Sequence, residues 1–195
     1  MCSVGSREAY LPGNAGFDFY LGIPYSADMG DARATPCSSA QRHTRTIQGA
    51  EYGQQSGDRS GAPPDKASLF LPLVHQSPGL EHSNTTVLEQ PLDFSTLGQK
   101  YNTFALDFVT QHKAVPFFLY FPFSHVHATS GIQPQEQYAG CAFQNATERG
   151  LFGDALAEVD WMVGNVGTQV APTPPLIAGA SSLTEIACGS VGGEA

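Results

Sequence analysis

The feature that most constrains the fold is an apolar run that ends in two histidines, residues 116–127 (PFFLYFPFSHVH). A continuous run of about eight apolar residues is typical of a central strand in a parallel sheet, because helices cover both faces of such a strand. In open α/β sheets, ligands bind in the crevice beyond the carboxyl ends of the strands. The run therefore predicts a buried parallel strand at residues 117–123, with His125 and His127 at its ligand-binding end.

Two amphipathic patterns flank the apolar run and predict one helix on each side of it. In the first pattern Ser95 is the predicted N-cap, and apolar residues recur on one face as far as about His112. The second pattern extends from about Gly153 to Val166. Helix, strand, loop and helix in this order are typical of an α/β fold.

The remaining segments have weaker patterns. Residues 69–74 and 85–89 are predicted to be short strands. Residues 31–66 are polar and have no sustained period, and a stretch of this length is usually an insertion or a functional lid. Residues 167–195 are rich in Gly, Ala and Ser, and we expect them to form a loosely ordered tail.

Size and charge exclude some classes of function. The 195 residues suffice for one domain. The chain has 9 basic and 18 acidic residues without a basic cluster, which argues against nucleic acid as a partner because phosphates are neutralised by clustered Lys and Arg. No apolar run is long enough to predict a membrane span, and the first seven residues lack the apolar core of a signal peptide.

Cysteines and glycosylation motifs leave the compartment open. The four cysteines stand far apart without a C-x-x-C pair, which excludes zinc-ribbon and thioredoxin-like spacings. Disulfides would have three full connectivities, which the sequence does not rank. Asn84 and Asn145 each begin an N-x-T tripeptide, the acceptor for N-glycosylation, and the two motifs favour a secretory route.

His125 and His127 have three interpretations. In an extended segment, residues at i and i+2 share one side, so both rings would face a common ligand. Hydrogen-bonded loop histidines are the most ordinary interpretation. Metal chelation is the second, but no other Cys or His has the spacing to complete a site. Anion binding or proton transfer to a leaving group is the third, and the position at the end of a strand favours it.

Ser26 lies in a turn-forming segment, residues 22–28 (GIPYSAD). Pro24 fixes the backbone for a turn, and Ser or Asp side chains cap neighbouring amides in such turns. A lone loop serine is in most proteins structural or solvated. Because the chain has no Gly-x-Ser-x-Gly elbow, a serine-hydrolase interpretation is rejected.

Three blocks of the sequence together resemble the sulfatase family. Residues 16–26 (GFDFYLGIPYS) resemble the segment of arylsulfatases that follows their GKWHLG motif. Residues 116–127 resemble the strand that ends in His-x-His in that family, and residues 151–160 (LFGDALAEVD) resemble the helix after it. The blocks occur in the family's order, and residues 97–101 (LGQKY) are most similar to arylsulfatase G and then to arylsulfatase A.

The resemblance implies an alkaline-phosphatase-like α/β fold, here incomplete, with part of a central, mostly parallel sheet and flanking helices. It implies hydrolysis of sulfuric esters such as aryl sulfates or sulfated glycans, in a lysosomal or secretory location. Calcium and a formylglycine nucleophile are expected in the complete family enzyme. Carried over by position, Ser26 and His127 match sulfate-binding residues, His127 is the catalytic match, and His125 is a neighbour to which the resemblance gives no definite role.

The chain also departs from the family pattern. Residues 2–7 (CSVGSR) lack the proline of the family's CxPSR nucleophile motif, and the paired aspartates and Asp-Asn-Gly that hold calcium are absent. Ala27 stands where near relatives have histidine. No residue of this chain is therefore assigned as a metal ligand.

These departures predict that the chain is an internal piece of a sulfatase. We expect residues 1–9 to be unmatched, residues 10–166 to form a partial catalytic domain with the insertion at about 31–66, and the tail to follow. Such a chain alone is expected to be inactive. The alternative function is a catalytically inactive sulfatase-like splice or truncation product that binds an anion at most.

Overall fold

A computed structural model describes residues 7–27, 29–35, 37–38, 70–129 and 137–170. Two long helices pack against each other, and the first of them also contacts a small sheet. In chain order the elements are two 3-10 turns, Glu8–Tyr10 and Pro12–Asn14, then strands β1 (Tyr20–Gly22), β2 (Leu73–Ser77) and β3 (Asn84–Glu89), and helices α1 (Phe94–His112) and α2 (Gly150–Val170).

Helix α1 confirms the first predicted helix, but its N-cap is Asp93 rather than Ser95. Asp93 has an extended backbone and its carboxylate accepts a hydrogen bond from the Ser95 backbone N–H at 2.9 Å. A carboxylate at this position satisfies a backbone donor that the helix itself leaves unpaired. The helix buries one stripe of residues at helical spacing, which includes Leu97, Tyr101 and Val109.

Helix α2 is longer than the predicted one at both ends. It begins at Gly150 and continues to Val170, so residues 167–170 belong to the helix and not to the predicted tail. Residues 171–195, the rest of that predicted tail, lie outside the described residues. The first turns of α2 are fixed by the buried Asp154. Its carboxylate accepts hydrogen bonds from the backbone N–H groups of Asn145 and Thr147 at 2.8 and 2.9 Å.

The sheet is antiparallel, with β2 between β1 and β3. Tyr20 pairs with Gln76 across the first ladder, and Val74 pairs with Val87 across the second. The predicted strand at 85–89 corresponds to β3, and the one predicted at 69–74 lies three to four residues later as β2. The described residues are therefore of mixed α and β structure, but the predicted parallel sheet is not what they form.

The apolar run at 117–123 is the clearest correction. It pairs with no strand among the described residues, and its side chains are exposed or half-buried rather than buried. Alternate residues, Leu119 and Phe121, pack against the two hydrophobic clusters, whereas Phe118 is 73 % exposed. Apolarity predicted burial on both faces, but a buried strand also needs hydrogen-bonding neighbours on both edges. The three strands in the described part of the chain pair with one another instead.

The first residues of the predicted insertion are tied to the body of the fold. Asp31 and Arg33 form parallel bridges with Phe70 and Asp93, while residues 39–66 lie outside the described residues. Cys37 forms a disulfide with Cys141, a partner 104 residues away. Closing a loop of this length restricts the unfolded chain strongly, by about 4–5 kcal/mol in the chain-entropy picture. Neither long helix of the described chain has an apolar stretch sufficient to cross a bilayer.

Candidate functional site

The structure brings together Ser26 and His127, the two residues that the sequence assigned to one site. The Ser26 Oγ atom lies 3.4 Å from His127 Nε2, although 101 residues separate them in sequence. Both side chains are half-buried, so each is in contact with the fold and also accessible from solvent. The two polar groups therefore converge at one point on the surface.

Ser26 is held by apolar neighbours in its own segment. Ile23, Tyr25 and Ala27 belong to the main hydrophobic cluster and are at most 7 % exposed. Because these side chains point inward, the intervening Ser26 side chain faces outward toward His127. A turn closed by the Met29 N–H and the Ser26 carbonyl, 3.0 Å apart, follows immediately. The local fold thus fixes the direction of the hydroxyl.

His127 lies at the end of a tight turn whose backbone bond joins its N–H to the Ser124 carbonyl at 3.2 Å. On the ring, Nδ1 lies 2.7 Å from the carbonyl oxygen of Ala128. A carbonyl oxygen accepts only, so Nδ1 carries a proton, and Nε2 of the neutral ring accepts from the Ser26 hydroxyl. Protonation of the ring turns Nε2 into a donor that faces the same point.

The rings of His125 and His127 have different surroundings, contrary to the expectation for an extended segment. The turn replaces the predicted extended conformation and sends the two rings in different directions. His125 is completely buried, and its Nε2 atom lies 3.2 Å from Glu158 Oε2 on α2. Its Nδ1 atom lies 3.4 Å from the Tyr138 hydroxyl. His125 is therefore a buried contact of the turn rather than an exposed ligand.

Glu158 is a functional-site neighbour that the sequence reasoning missed. It is 2 % exposed, and its Oε2 atom accepts a hydrogen bond from the Gly140 backbone N–H at 2.6 Å. The sequence predicts an apolar face of α2 at Leu156, Val159, Val163 and Val166, but Leu156 and Val163 are 37 % and 36 % exposed. A signal was present in the spacing, because Glu158 lies four residues before the fully buried Met162.

Two buried tyrosines border this region and stay protonated. Burial raises the pKa of Tyr101 and that of Tyr138 above the ordinary value for a phenol. The Tyr138 hydroxyl lies 2.9 Å from Ser124 Oγ, and its ring stacks on Phe94 with centroids 4.3 Å apart. The Tyr138 hydroxyl is therefore a neutral hydrogen-bonding group and not a base.

The described residues do not fit a calcium site. Across residues 7–27, 29–35, 37–38, 70–129 and 137–170, no group of three or more His, Cys, Asp or Glu side chains is placed to hold a metal ion. Divalent calcium takes six to eight oxygen ligands, and the Ser26–His127 pair does not supply them. No step of the chemistry below is routed through calcium.

A separate apolar cavity of about 620 Å³ lies away from the pair. It is lined largely by aromatic side chains, including Phe19, Phe108 and Phe117, and neither Ser26 nor His127 lines it. Because the two polar groups are outside this cavity, it is not part of the candidate site.

The two glycosylation motifs have different surroundings. Asn84 begins β3, is exposed, and its side-chain amide donates to the Pro78 carbonyl at 3.0 Å. Asn145 has a left-handed backbone with φ of 61°, and its Oδ1 atom is buried without a hydrogen-bond partner. Asparagine is one of the few side chains that adopt this conformation readily, which gives Asn145 a structural reason to be present.

These observations define a mixed α and β protein with a half-buried serine–histidine pair at its surface. No family model matches the chain. It is 32 % identical to arylsulfatase A of Bos taurus over 176 residues, which is 86 % of this chain and 27 % of that protein. It is 28 % identical to arylsulfatase G of Rattus norvegicus over 177 residues, or 86 % of this chain and 28 % of the relative.

Steryl-sulfatase of Rattus norvegicus is a third relative, 35 % identical over 189 residues, which is 85 % of this chain and 32 % of that protein. The resemblance predicted from the sequence is thereby confirmed, and the chain is related to the sulfatase family. It spans between about a quarter and a third of the length of these curated relatives.

Proposed function

We propose that this chain forms the sulfate-contacting side of a sulfuric ester hydrolase, with Ser26 and His127 as the groups that bind the sulfate. The observation that carries the proposal is the 3.4 Å approach of Ser26 Oγ to His127 Nε2 across 101 residues of sequence. Two side chains that the sulfatase resemblance assigns to sulfate thus converge at one half-buried point. Similarity to three kinds of sulfatase supports this substrate class.

The geometry supports specific roles for the two side chains. A tetrahedral sulfate accepts hydrogen bonds from the Ser26 hydroxyl and from Nε2 of protonated His127, and both donors face the same point. The Ala128 carbonyl fixes the ring orientation through Nδ1, so Nε2 is the nitrogen that meets the substrate. In the net hydrolysis, water supplies the oxygen that bonds to sulfur as the ester S–O bond breaks, and the same Nε2–H donates its proton to the leaving oxygen, which departs as the alcohol or phenol.

The finer features of the proposal come from the family resemblance. They are an alkaline-phosphatase-like fold, a lysosomal or secretory location, and aryl sulfates or sulfated glycans as substrates. Of the two N-glycosylation motifs, Asn84 is the proposed glycan acceptor on that route, since it is exposed whereas the Asn145 amide oxygen is buried. The formylglycine nucleophile has no counterpart among the residues assigned here, and no step is derived through it.

The test uses the whole 195-residue chain with inorganic sulfate as the probe. Backbone amide signals around Ser26 are followed by NMR while sulfate is added. We expect saturable shifts, and a loss of sulfate affinity of about tenfold or more in both S26A and H127A, because a hydrogen bond to a charged group is worth about 1.5–3 kcal/mol. His82→Ala, an exposed histidine between β2 and β3, is the matched control and should bind as the parent does.

Turnover separates the proposed function from its alternative. Because the chain alone is expected to be inactive, hydrolysis is measured on a longer protein that contains this segment together with the family's nucleophile. Saturable sulfate binding accompanied there by hydrolysis of an aryl sulfate, lost in H127A, supports the hydrolase. Saturable binding without hydrolysis supports a catalytically inactive sulfatase-like product that holds an anion. Shifts that do not saturate, or that are the same in H127A and the His82→Ala control, would contradict both.

A further inference from the structure

We propose that Glu158 is a positioning residue, which holds the turn of residues 124–127 and so fixes the His127 ring in place for its anion. The proposal names a role for a residue that neither the sequence resemblance nor the proposed chemistry uses. Only its sulfate readout rests on the proposed function, because the geometry of the His127 ring can be measured without a ligand.

The first step is that the carboxylate is confined to one place. Glu158 is 2 % exposed, and a buried carboxylate costs several kcal/mol unless hydrogen bonds and a charge partner compensate. Its Oε2 atom accepts from the Gly140 N–H at 2.6 Å and lies 3.2 Å from His125 Nε2. The hydrogen bond from Gly140 in the loop compensates the carboxylate, whereas His125 Nε2 makes no hydrogen bond and contacts the carboxylate from inside the turn.

The second step is that the backbone around the carboxylate has no room for side chains. A Cβ atom at Gly98, on the adjoining face of α1, would lie 2.2 Å from Glu158 Oε1. A Cβ atom at Gly140 would lie 2.5 Å from the same oxygen. Because Gly98 and Gly140 carry no Cβ atom, the Glu158 carboxylate fits between α1, α2 and the loop. A side chain placed for core packing alone would not need this clearance.

The third step connects the carboxylate to His127. His125, the partner of Glu158, is inside the turn whose backbone bond joins the His127 N–H to the Ser124 carbonyl. The Tyr138 hydroxyl contacts the first two residues of the same turn, Ser124 Oγ at 2.9 Å and His125 Nδ1 at 3.4 Å. A shift of the His125 ring therefore moves the turn, and His127 moves with it away from Ser26.

The experiment measures the His127 ring in the whole chain labelled with ¹⁵N-histidine, first without ligand and then with inorganic sulfate. In E158A we expect the His127 ring signals to move toward those of an unrestrained histidine and sulfate affinity to fall at least tenfold. In E158Q the amide oxygen still accepts from the Gly140 N–H. The His127 signals should therefore stay at the parent's positions, and the sulfate affinity should stay within about threefold of the parent's. Rescue by the conservative variant is what a positioning role predicts.

Two controls separate positioning from general stability. Asp160→Asn makes the same acid-to-amide change at an exposed site on α2 and should leave the His127 signals unchanged. Met162→Ala removes a fully buried side chain of the same helix and should lower stability without moving the His127 signals of the folded chain. Equal displacement of those signals in M162A and E158A would overturn the proposal.

The remaining outcomes are also decisive. A folded E158A chain with parental His127 signals overturns the positioning role. If the signals move but the parent binds no sulfate, the positioning role stands and the proposed function fails. If E158A does not fold, Tyr138→Phe decides instead, because it keeps Glu158 and the ring stack while it removes the hydroxyl that contacts Ser124 and His125 in the turn. Unmoved His127 signals in that variant would refute the proposal.

Discussion

Asp93 gives the most quantitative test of how the fold is held together. Its carboxylate accepts four hydrogen bonds, from the backbone N–H and hydroxyl of Ser95 at 2.9 and 2.6 Å, from the Thr35 N–H at 3.2 Å, and from the Thr35 hydroxyl. The carboxylate therefore caps α1 and also ties Thr35 to it. Asp93→Ala removes both functions at once.

The expected cost of Asp93→Ala at pH 7 is about 2–4 kcal/mol in the free energy of unfolding. Loss of the N-cap contributes about 1 kcal/mol, and the hydrogen bonds from Thr35 to a charged acceptor contribute about 1–3 kcal/mol more. Asp93→Asn should cost less than Asp93→Ala because Asn is itself a good N-cap residue. Asp107→Ala, an exposed aspartate on the same helix, is the matched control and should stay within about 0.5 kcal/mol of the parent.

The effect of Asp93 should depend on pH in a defined direction. Burial opposes its ionisation, but the hydrogen bonds from Ser95 and Thr35 outweigh burial, and the pKa of Asp93 is lowered from the ordinary value of 3.8. A carboxyl whose pKa is lower in the folded state than in the unfolded state stabilises the fold fully at pH values above its unfolded-state pKa. That contribution is lost as the pH falls through its folded-state pKa. The difference between parent and D93A should therefore shrink below about pH 4.

The assay is urea unfolding followed by far-ultraviolet circular dichroism at pH 7 and pH 3, for the parent, D93A, D93N and the Asp107→Ala control. A loss smaller than 1 kcal/mol for D93A at pH 7 would refute the argument that this carboxylate joins the helix to Thr35. A loss that is the same at both pH values would refute the argument that its charge is responsible.

Two further predictions concern single positions. Gly98→Ala should destabilise the chain by about 2 kcal/mol or more, because the added Cβ atom meets the Glu158 carboxylate. Gly164→Ala in α2 should stabilise the chain by about 1 kcal/mol, because nothing lies within 4 Å of the added Cβ atom. Urea unfolding of both variants checks this, and equal effects would contradict it. When the chain is expressed through the secretory route of a host cell, enzymatic removal of N-glycans should lower its mass. Asn84→Gln should abolish this mass loss and Asn145→Gln should not, because Asn84 is exposed and the Asn145 amide oxygen is buried. The reverse pattern would contradict the structural distinction.

Local features of the fold could be predicted from the sequence where one interaction dominates. Helix α1 was predicted because its buried residues recur at helical spacing, and the prediction failed only at the cap, where Asp93 and Ser95 both carry side chains that bind backbone N–H groups. The apolar run at 117–123 was mispredicted because apolarity indicates what a side chain prefers and says nothing about which strand pairs with the backbone.

The candidate site was predictable only in part, and for a different reason. No spacing rule relates Ser26 to His127, and their pairing was expected only from the resemblance of the surrounding blocks to sulfatases. His125 was assigned to the same side as His127 because an extended backbone was assumed, and the turn invalidates that assumption. Glu158 was missed because an acidic residue on a helix is ordinarily solvated, and only the packing of Gly98 and Gly140 makes a buried carboxylate feasible there.

The exposed aromatic side chains of the apolar run at 117–123 affect every experiment in which sulfate is added. Phe118 is 73 % exposed and Tyr120 is 38 % exposed, so the chain presents aromatic surface to its neighbours in solution. Sulfate is a kosmotropic ion that is excluded from protein surfaces and strengthens apolar association. The same salt thus acts on this molecule in two ways: as a ligand that saturates at one point, and as a cosolvent that drives chains together in proportion to its own concentration and to that of the protein. Dilution separates the two, because only the second effect weakens when the chains are farther apart.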